Sequence, residues 1–343
     1  MKESLNKFSA RFQEAFLELI WRQWCVLGVQ GYSAKPGNQC IDPEALILMT
    51  CSVGRREPRL FDEMLDWLVC YQEYVSKQRL LLLSKSGLFS GNAVWAAVEG
   101  FLATQKAGAK WRKQKDAPNR NAEPLFILKD GRPMKGFGAG DEVFRSLGFE
   151  RGLVKLRGMS QPFSPSHPSC LLLRLRALFG TTTRSEIVLF LLTHPGPSGE
   201  TPSAIARETG YAQKSVHNTL VNMSLSGLVS RRQAGREVRY AIAKELCQSL
   251  LLGIKEKPSW LNWASVFVFL ESLWILLGTP GFYQKNDSLQ SIAMRELWQK
   301  HLSALSDSGL GGELRSIDQL SGKELVETVL EQVEEMMESF LKV

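Results

Sequence analysis

The sequence predicts a mainly α-helical fold carrying one small β-hairpin. Three observations lead there. Apolar residues recur at three- and four-residue spacing over long stretches of the chain. One segment, 229–242, instead alternates around a glycine, the pattern of two short paired strands. Glycine and proline cluster between the helical blocks, at 105–168. With 343 residues and 44% hydrophobic content, the chain can bury a sizeable core and is long enough for two or three domains.

The elements follow in order. Phe8, Phe12, Phe16, Ile20 and Trp24 recur every fourth residue, one face of a helix of about 25 residues that Gly28 and Gly31 end. Asp42-Pro43-Glu44 opens a second helix, with a capping carboxylate, proline in the first turn and an acid near the positive helix end. Arg59–Val75 makes a third, burying Leu60, Met64, Trp67, Leu68 and Tyr71, and Gln78–Ser84 extends or follows it. Residues 1–104 therefore read as a helical N-terminal domain.

Residues 105–169 read as a basic, Gly/Pro-rich irregular segment and linker. Lys106–Arg120 is expected to be a mobile surface segment, Leu125–Leu128 and Leu153–Leu156 short strands, and Asp141–Leu147 a short helix. Ser160–Pro168, with three prolines, reads as the linker itself. A third domain spans 170–252. Residues 253–343 form a helical C-terminal region, with helices at 260–277, 288–304 and 321–341, the last burying Leu325, Val329, Val333, Met336 and Phe340. Asn262, Ser265, Glu271 and Ser272 interrupt the apolar run Trp260–Leu277, so the expectation is a buried helix and no membrane span.

Charge is uneven. Residues 1–104 balance at 11 Lys/Arg and 11 Asp/Glu; 105–160 carry 13 against 6, 170–252 carry 10 against 5, and 300–343 carry 4 against 9. The basic middle suits an anionic partner. Cys25, Cys40, Cys51, Cys70, Cys170 and Cys247 form no C-x-x-C pair, and there are four histidines. No structural zinc and no cofactor is expected, and with no secretory leader in view the expected setting is the reducing cytoplasm.

The function-bearing stretch is 184–242. Glu186–Thr193 is an apolar helix stopped by His194-Pro195-Gly196. Thr201-Pro202-Ser203 starts a second, with Ile205, Ala206 and Thr209 inward, and Gly210 supplies a tight turn. A third helix, 212–226, buries Val216, Leu220 and Met223 and ends at Gly227. Two strands over 229–242 follow, joined at Gly235 and rich in arginine, with Val238, Tyr240 and Ile242 half-buried.

Helix, helix–turn–helix, then hairpin, carried by "TPSAIARETG", "KSVHNTLVNMSLSGLV" and "RRQAGREVRYAI", resembles the winged helix-turn-helix regulators of the MarR and ArsR type over about 60 residues. One departure is Ala212, where Ser or Thr normally caps the third helix. The resemblance implies a sequence-specific transcriptional regulator that binds double-stranded DNA. Helix 212–226 would enter the major groove, presenting Gln213, Lys214, Ser215, His217, Asn218 and Asn222 to base edges. Thr201 and Ser203, which open the preceding helix, are also expected to contact the DNA. Arg231, Arg232, Arg236 and Arg239 of the wing suit phosphate or minor-groove contact.

Such proteins dimerise to read paired half-sites; Trp260, Trp263, Phe267, Trp274 and Leu277 offer either a homodimer surface or internal packing. Besides an enzyme carrying an appended winged domain, the least favoured, two alternatives stand beside this reading. One is an antitoxin-like repressor binding a protein partner. The other is a regulator with a small-molecule effector, sensed by an N-terminal pocket lined by Trp21, Trp24, Trp67 and Tyr71. Weaker signals carry less. Gly136–Gly140 lacks the lysine of a phosphate loop. Lys110–Lys115 mixes tryptophan with base and reads as a solvated loop. Asp62, Glu63 and Asp66 form only a local acidic cluster. No hydrolase triad, H-E-x-x-H or Walker pattern occurs, and no enzyme is expected.

Overall fold

The computed structural model describes residues 2–31, 37–106, 108–111, 122–128, 131–136, 138–196, 198–279 and 281–341. Among them the chain is mainly helical, with fourteen α-helices and two sheets of two strands each. No helix among them is long and apolar enough to cross a membrane. Two compact units emerge, one of residues 17–34 and 43–162, the other of residues 1–16, 35–42 and 163–343. Helix α1 (Lys2–Val26) contributes to both, and its every-fourth-residue stripe from Phe8 to Trp24 is buried.

The unit of residues 17–34 and 43–162 is built on α2 (Pro43–Val53), which is buried on nearly every side as an all-round apolar helix must be. Glu44 is fully buried, yet its carboxylate does not serve its own helix alone. It accepts the Ser76 N–H (2.5 Å) and faces Arg79 (3.9 Å) at the start of α4 (Lys77–Lys85), where Ser76 is the cap. Helix α3 (Pro58–Tyr71) lies between, and it stops short of Val75 because residues 72–74 tighten into a 3₁₀ turn. Helix α5 (Asn92–Thr104) completes the bundle.

The aromatic pocket expected at Trp21, Trp24, Trp67 and Tyr71 is not open. Trp24 and Trp67 meet edge-to-face at 5.3 Å, their indole N–H groups donate to Thr50 Oγ1 and Leu27 O, and the Arg59 guanidinium covers Trp21. Rings whose polar edges are satisfied this way are core.

Short strands form beside, not at, the expected places. Strand β1 (Glu123–Pro124) pairs in parallel with β2 (Phe149–Glu150), and Asp141 caps α6 (Glu142–Ser146) between them. Leu125–Leu128 makes only one bridge, Ile127 to Pro133; Arg55 takes Leu125 O and Ile127 N–H, and Leu125 N–H donates to Glu150 O. Leu153–Leu156 is no strand, and Leu153 and Leu156 are exposed.

What organises 151–161 is α3. Arg151 pairs with Asp62 (2.7 Å) and Arg157 with Glu63 (3.4 Å). Asp66 accepts N–H bonds from Arg157, Gly158, Met159 and Ser160 (2.7–3.4 Å) and the Ser160 hydroxyl. Burial pushes the Asp66 carboxyl up, but those backbone bonds prevail and hold it below the usual range. Gln161 N–H then donates to Gly28 O, so the expected linker begins as a fastened segment.

Lys110 and Trp111 also face inward: the ammonium donates to Gln72 O and Val75 O, and the indole to Gln72 Oε1. Most of the expected mobile segment 106–120, and Phe137 of the glycine run, lie outside the described residues.

In the other unit, α7 (Leu171–Phe179) and α8 (Thr183–Thr193) are tied by a buried Arg176–Glu186 pair at 2.5 Å. Then follow α9 (Pro202–Thr209), α10 (Gln213–Leu225), the antiparallel strands β3 (Val229–Ala234) and β4 (Glu237–Ile242), and α11 (Lys244–Leu250). Helices α12 (Trp263–Gly278), α13 (Asp287–Leu305) and α14 (Gly322–Leu341) complete it. The rings offered as a dimer surface are internal. Trp263, Phe267, Trp274 and Leu277 are buried, Phe16 packs on Phe267 and Trp274, and Trp260 sits edge-on to Phe190.

Candidate nucleic-acid interface

The interface is assembled around α10. Helix α8 ends at Thr193, and the chain then runs alongside β4: Glu200 and Tyr240 exchange both backbone bonds (2.8 and 2.9 Å). Gly199 makes this approach feasible. Its φ is +68°, and a Cβ there would lie 2.6 Å from Tyr240 O, so a larger residue would push the strand away. Thr201 caps α9, accepting the Ala204 N–H at 3.2 Å, with Pro202 in the first turn. Gly210, left-handed at φ +75°, turns the chain into α10.

Val216, Leu220 and Met223 are buried and fix the rotation of α10. As expected from Ala212, no side chain caps this helix. Gln213, Lys214, Ser215, His217, Asn218 and Asn222 are all exposed, so one polar face is open to solvent along the helix. Two members of that face escaped the sequence reading. Val221 is 37% and Leu225 83% exposed; with Lys214 and Asn218 they stand at i, i+4, i+7 and i+11, a single stripe. Extending the spacing past Asn218 would have found them. An apolar side chain in that position can touch a thymine methyl.

The hairpin register pairs Arg231 with Tyr240 and Arg232 with Arg239 across a turn at Gly235-Arg236. Pleating puts residues two apart on one face. Arg231 therefore lies on the Tyr240 side, Arg232 and Arg239 lie together on the other, and Arg236 is at the tip. The four arginines do not form one patch. Arg231, Arg232 and Arg236 are exposed. Arg239 is half-buried and donates to Gly199 O (3.2 Å) and Glu237 (3.0 Å), so it braces the hairpin against the chain entering α9. Its Glu237 partner also offsets the like charges at Arg232 and Arg239.

Thr201 is half-buried and spends its oxygen on the cap, with Ser203, exposed, 3.0 Å from it. Arg207 is held by Glu208 at 2.9 Å. Among the described residues no group of three or more His, Cys, Asp or Glu is placed to hold a metal ion.

The arrangement is an exposed polar helix face of about three turns and a protruding cationic ribbon within one compact unit. Comparison with known protein families, with curated proteins and with solved structures finds no match.

Proposed function

We propose that residues 170–252 form a winged helix-turn-helix that binds double-stranded DNA, and that the protein is a sequence-specific transcriptional regulator working in the cytoplasm. Helix α10 enters the major groove, where Gln213, Lys214, Asn218 and Asn222 meet base edges. The hairpin lies on the backbone or minor groove through Arg231, Arg232 and Arg236. Arg239 is a brace in this reading, and no dimer is required of the buried tryptophans. One observation carries the proposal: among the described residues, the outward face of α10 is exposed and is polar over its first half. Selection from a random duplex library with the full-length protein tests it. A recovered consensus with a salt-dependent affinity is the expected result; absence of enrichment contradicts it.

Leu225, the most exposed apolar side chain of α10, favours a second reading in which the same face docks a protein, as an antitoxin-like repressor would. The two readings separate by salt. Duplex binding weakens steeply as ions are added, whereas an apolar protein contact does not.

A further inference from the structure

Helix α1 carries Phe8, Phe12 and Ala15 at i, i+4 and i+7, and α14 carries Val333, Met337 and Leu341 at i, i+4 and i+8, so each set shares one helix face. These residues line a cavity of about 380 Å³, inside the ~300–1,000 Å³ usual for ligand pockets. All of them belong to the unit of residues 1–16, 35–42 and 163–343. Ala15 is the small member of its line, half-buried where the rings of Phe8 and Phe12 are buried.

Arg11, Glu334 and Glu338 complete the lining, and their charge is already engaged. Arg11 donates to Glu334 at 2.5 Å, joining α1 to α14, and Glu338 also interacts within the chain. No lining residue has a buried side-chain polar atom without a partner, so the cavity asks for no hydrogen bond. A charged guest is disfavoured in either sign. An anion meets two carboxylates for one guanidinium, and a cation must draw Glu334 away from Arg11; each loses water without an open counter-charge. The walls add a preference for rings. Phe8 and Phe12 stack at 5.9 Å with their planes 5° apart, a continuous aromatic wall, and Met337 brings a thioether from the other helix. Aromatic rings pack favourably on both.

We propose that this cavity binds a small uncharged aromatic molecule. Its rings lie between the phenylalanines of α1 and Met337 of α14, and the Arg11–Glu334 pair stays closed beside it. The site uses no residue of α10 or the hairpin, so it goes beyond the DNA-binding proposal and stands or falls without it.

The test is a fluorescence titration of the full-length protein with N-phenyl-1-naphthylamine, which is neutral and brightens in apolar surroundings. Saturable binding is expected, with a dissociation constant below roughly 100 μM. Ala15→Trp, which fills the cavity from α1 at a half-buried position, weakens it at least tenfold. Met337→Leu, which keeps the volume and removes the sulfur, weakens it at least twofold. 8-Anilinonaphthalene-1-sulfonate adds one negative charge to the same rings, and its binding at this site, read as the signal that Ala15→Trp removes, is at least tenfold weaker. Circular dichroism of each variant reports whether it is folded. Any of four results overturns the proposal: no saturable binding of the neutral dye by the native protein; the sulfonate bound there as tightly as the neutral dye; affinity for the neutral dye unchanged in a folded Ala15→Trp or Met337→Leu protein; or a dye signal that disappears as the protein dimerises with rising concentration, which would make a second copy the occupant.

Discussion

On α3, Asp62, Glu63 and Asp66 each meet a partner: Arg151, Arg157, or the backbone of 157–160. Along α10 and the hairpin, Lys214, Arg231 and Arg236 are exposed and make no ion pair among the described residues. Both regions look like charged clusters in sequence, and their physics differs. Glu63 and Asp66 are buried, and a desolvated charge must be paired or hydrogen-bonded. Their cluster is therefore scaffold, fastening one segment of chain. Lys214, Arg231 and Arg236 need no partner for the fold, unlike Arg239, which is held by Gly199 O and Glu237. Charge left exposed on a protruding ribbon is available to a ligand.

The largest effect tests the scaffold side. Asp66→Ala removes the acceptor shared by four N–H groups, of which that of Ser160 is buried, and is expected to lower unfolding free energy by about 1–3 kcal/mol, read by urea denaturation, with Asp66→Asn intermediate. The pH dependence follows from the depressed pKa. The Asp66 contribution is full above the unfolded carboxyl value and is lost as pH falls through the folded one. A stability unchanged in Asp66→Ala would break the contrast between the two clusters.

A smaller effect tests the hairpin side. Arg231→Ala and Arg236→Ala should each change stability by less than about 0.5 kcal/mol. Each should also reduce the slope of log affinity against log salt by about 1 where it neutralises one phosphate. The same slope in both variants would make these arginines a merely solvated face.

The smallest concerns a charge that the fold resists. His301 is buried edge-on to Phe269, and burial, helped by Lys300, lowers its pKa. Its neutral form is favoured in the folded state, so its contribution is present above the unfolded imidazole pKa and lost as pH drops through the folded value. The urea midpoint should fall between about pH 7.5 and about pH 5, and less so in His301→Phe.

The sequence was readable where the physics is local. The α1 stripe, the Thr201 cap, the Gly210 turn and the inward Val216, Leu220 and Met223 each depend on residues within a few positions. The fastening of 151–161 to α3 was not readable, because Asp66 meets Arg157 and Gly158 about ninety residues away and no periodicity records such a pairing. Distance in sequence also hid Arg239: its bond to Gly199 O spans 40 residues, which is why it looked like a fourth exposed arginine. Trp24 and Trp67 suggested a cavity because aromatic residues line pockets and cores alike, and only their satisfied indoles distinguish the two. Val221 was legible by spacing but overlooked, since apolar residues in a helix are ordinarily assigned to its buried side.

The most direct measurement is the affinity of the Lys214→Ala/Asn218→Ala double variant for a selected duplex, beside its urea midpoint. Both side chains are exposed, so the midpoint should stay where it is while affinity drops at least about tenfold through lost base contacts. Undiminished affinity in a variant that is fully folded would contradict the assignment of α10 as the reading helix.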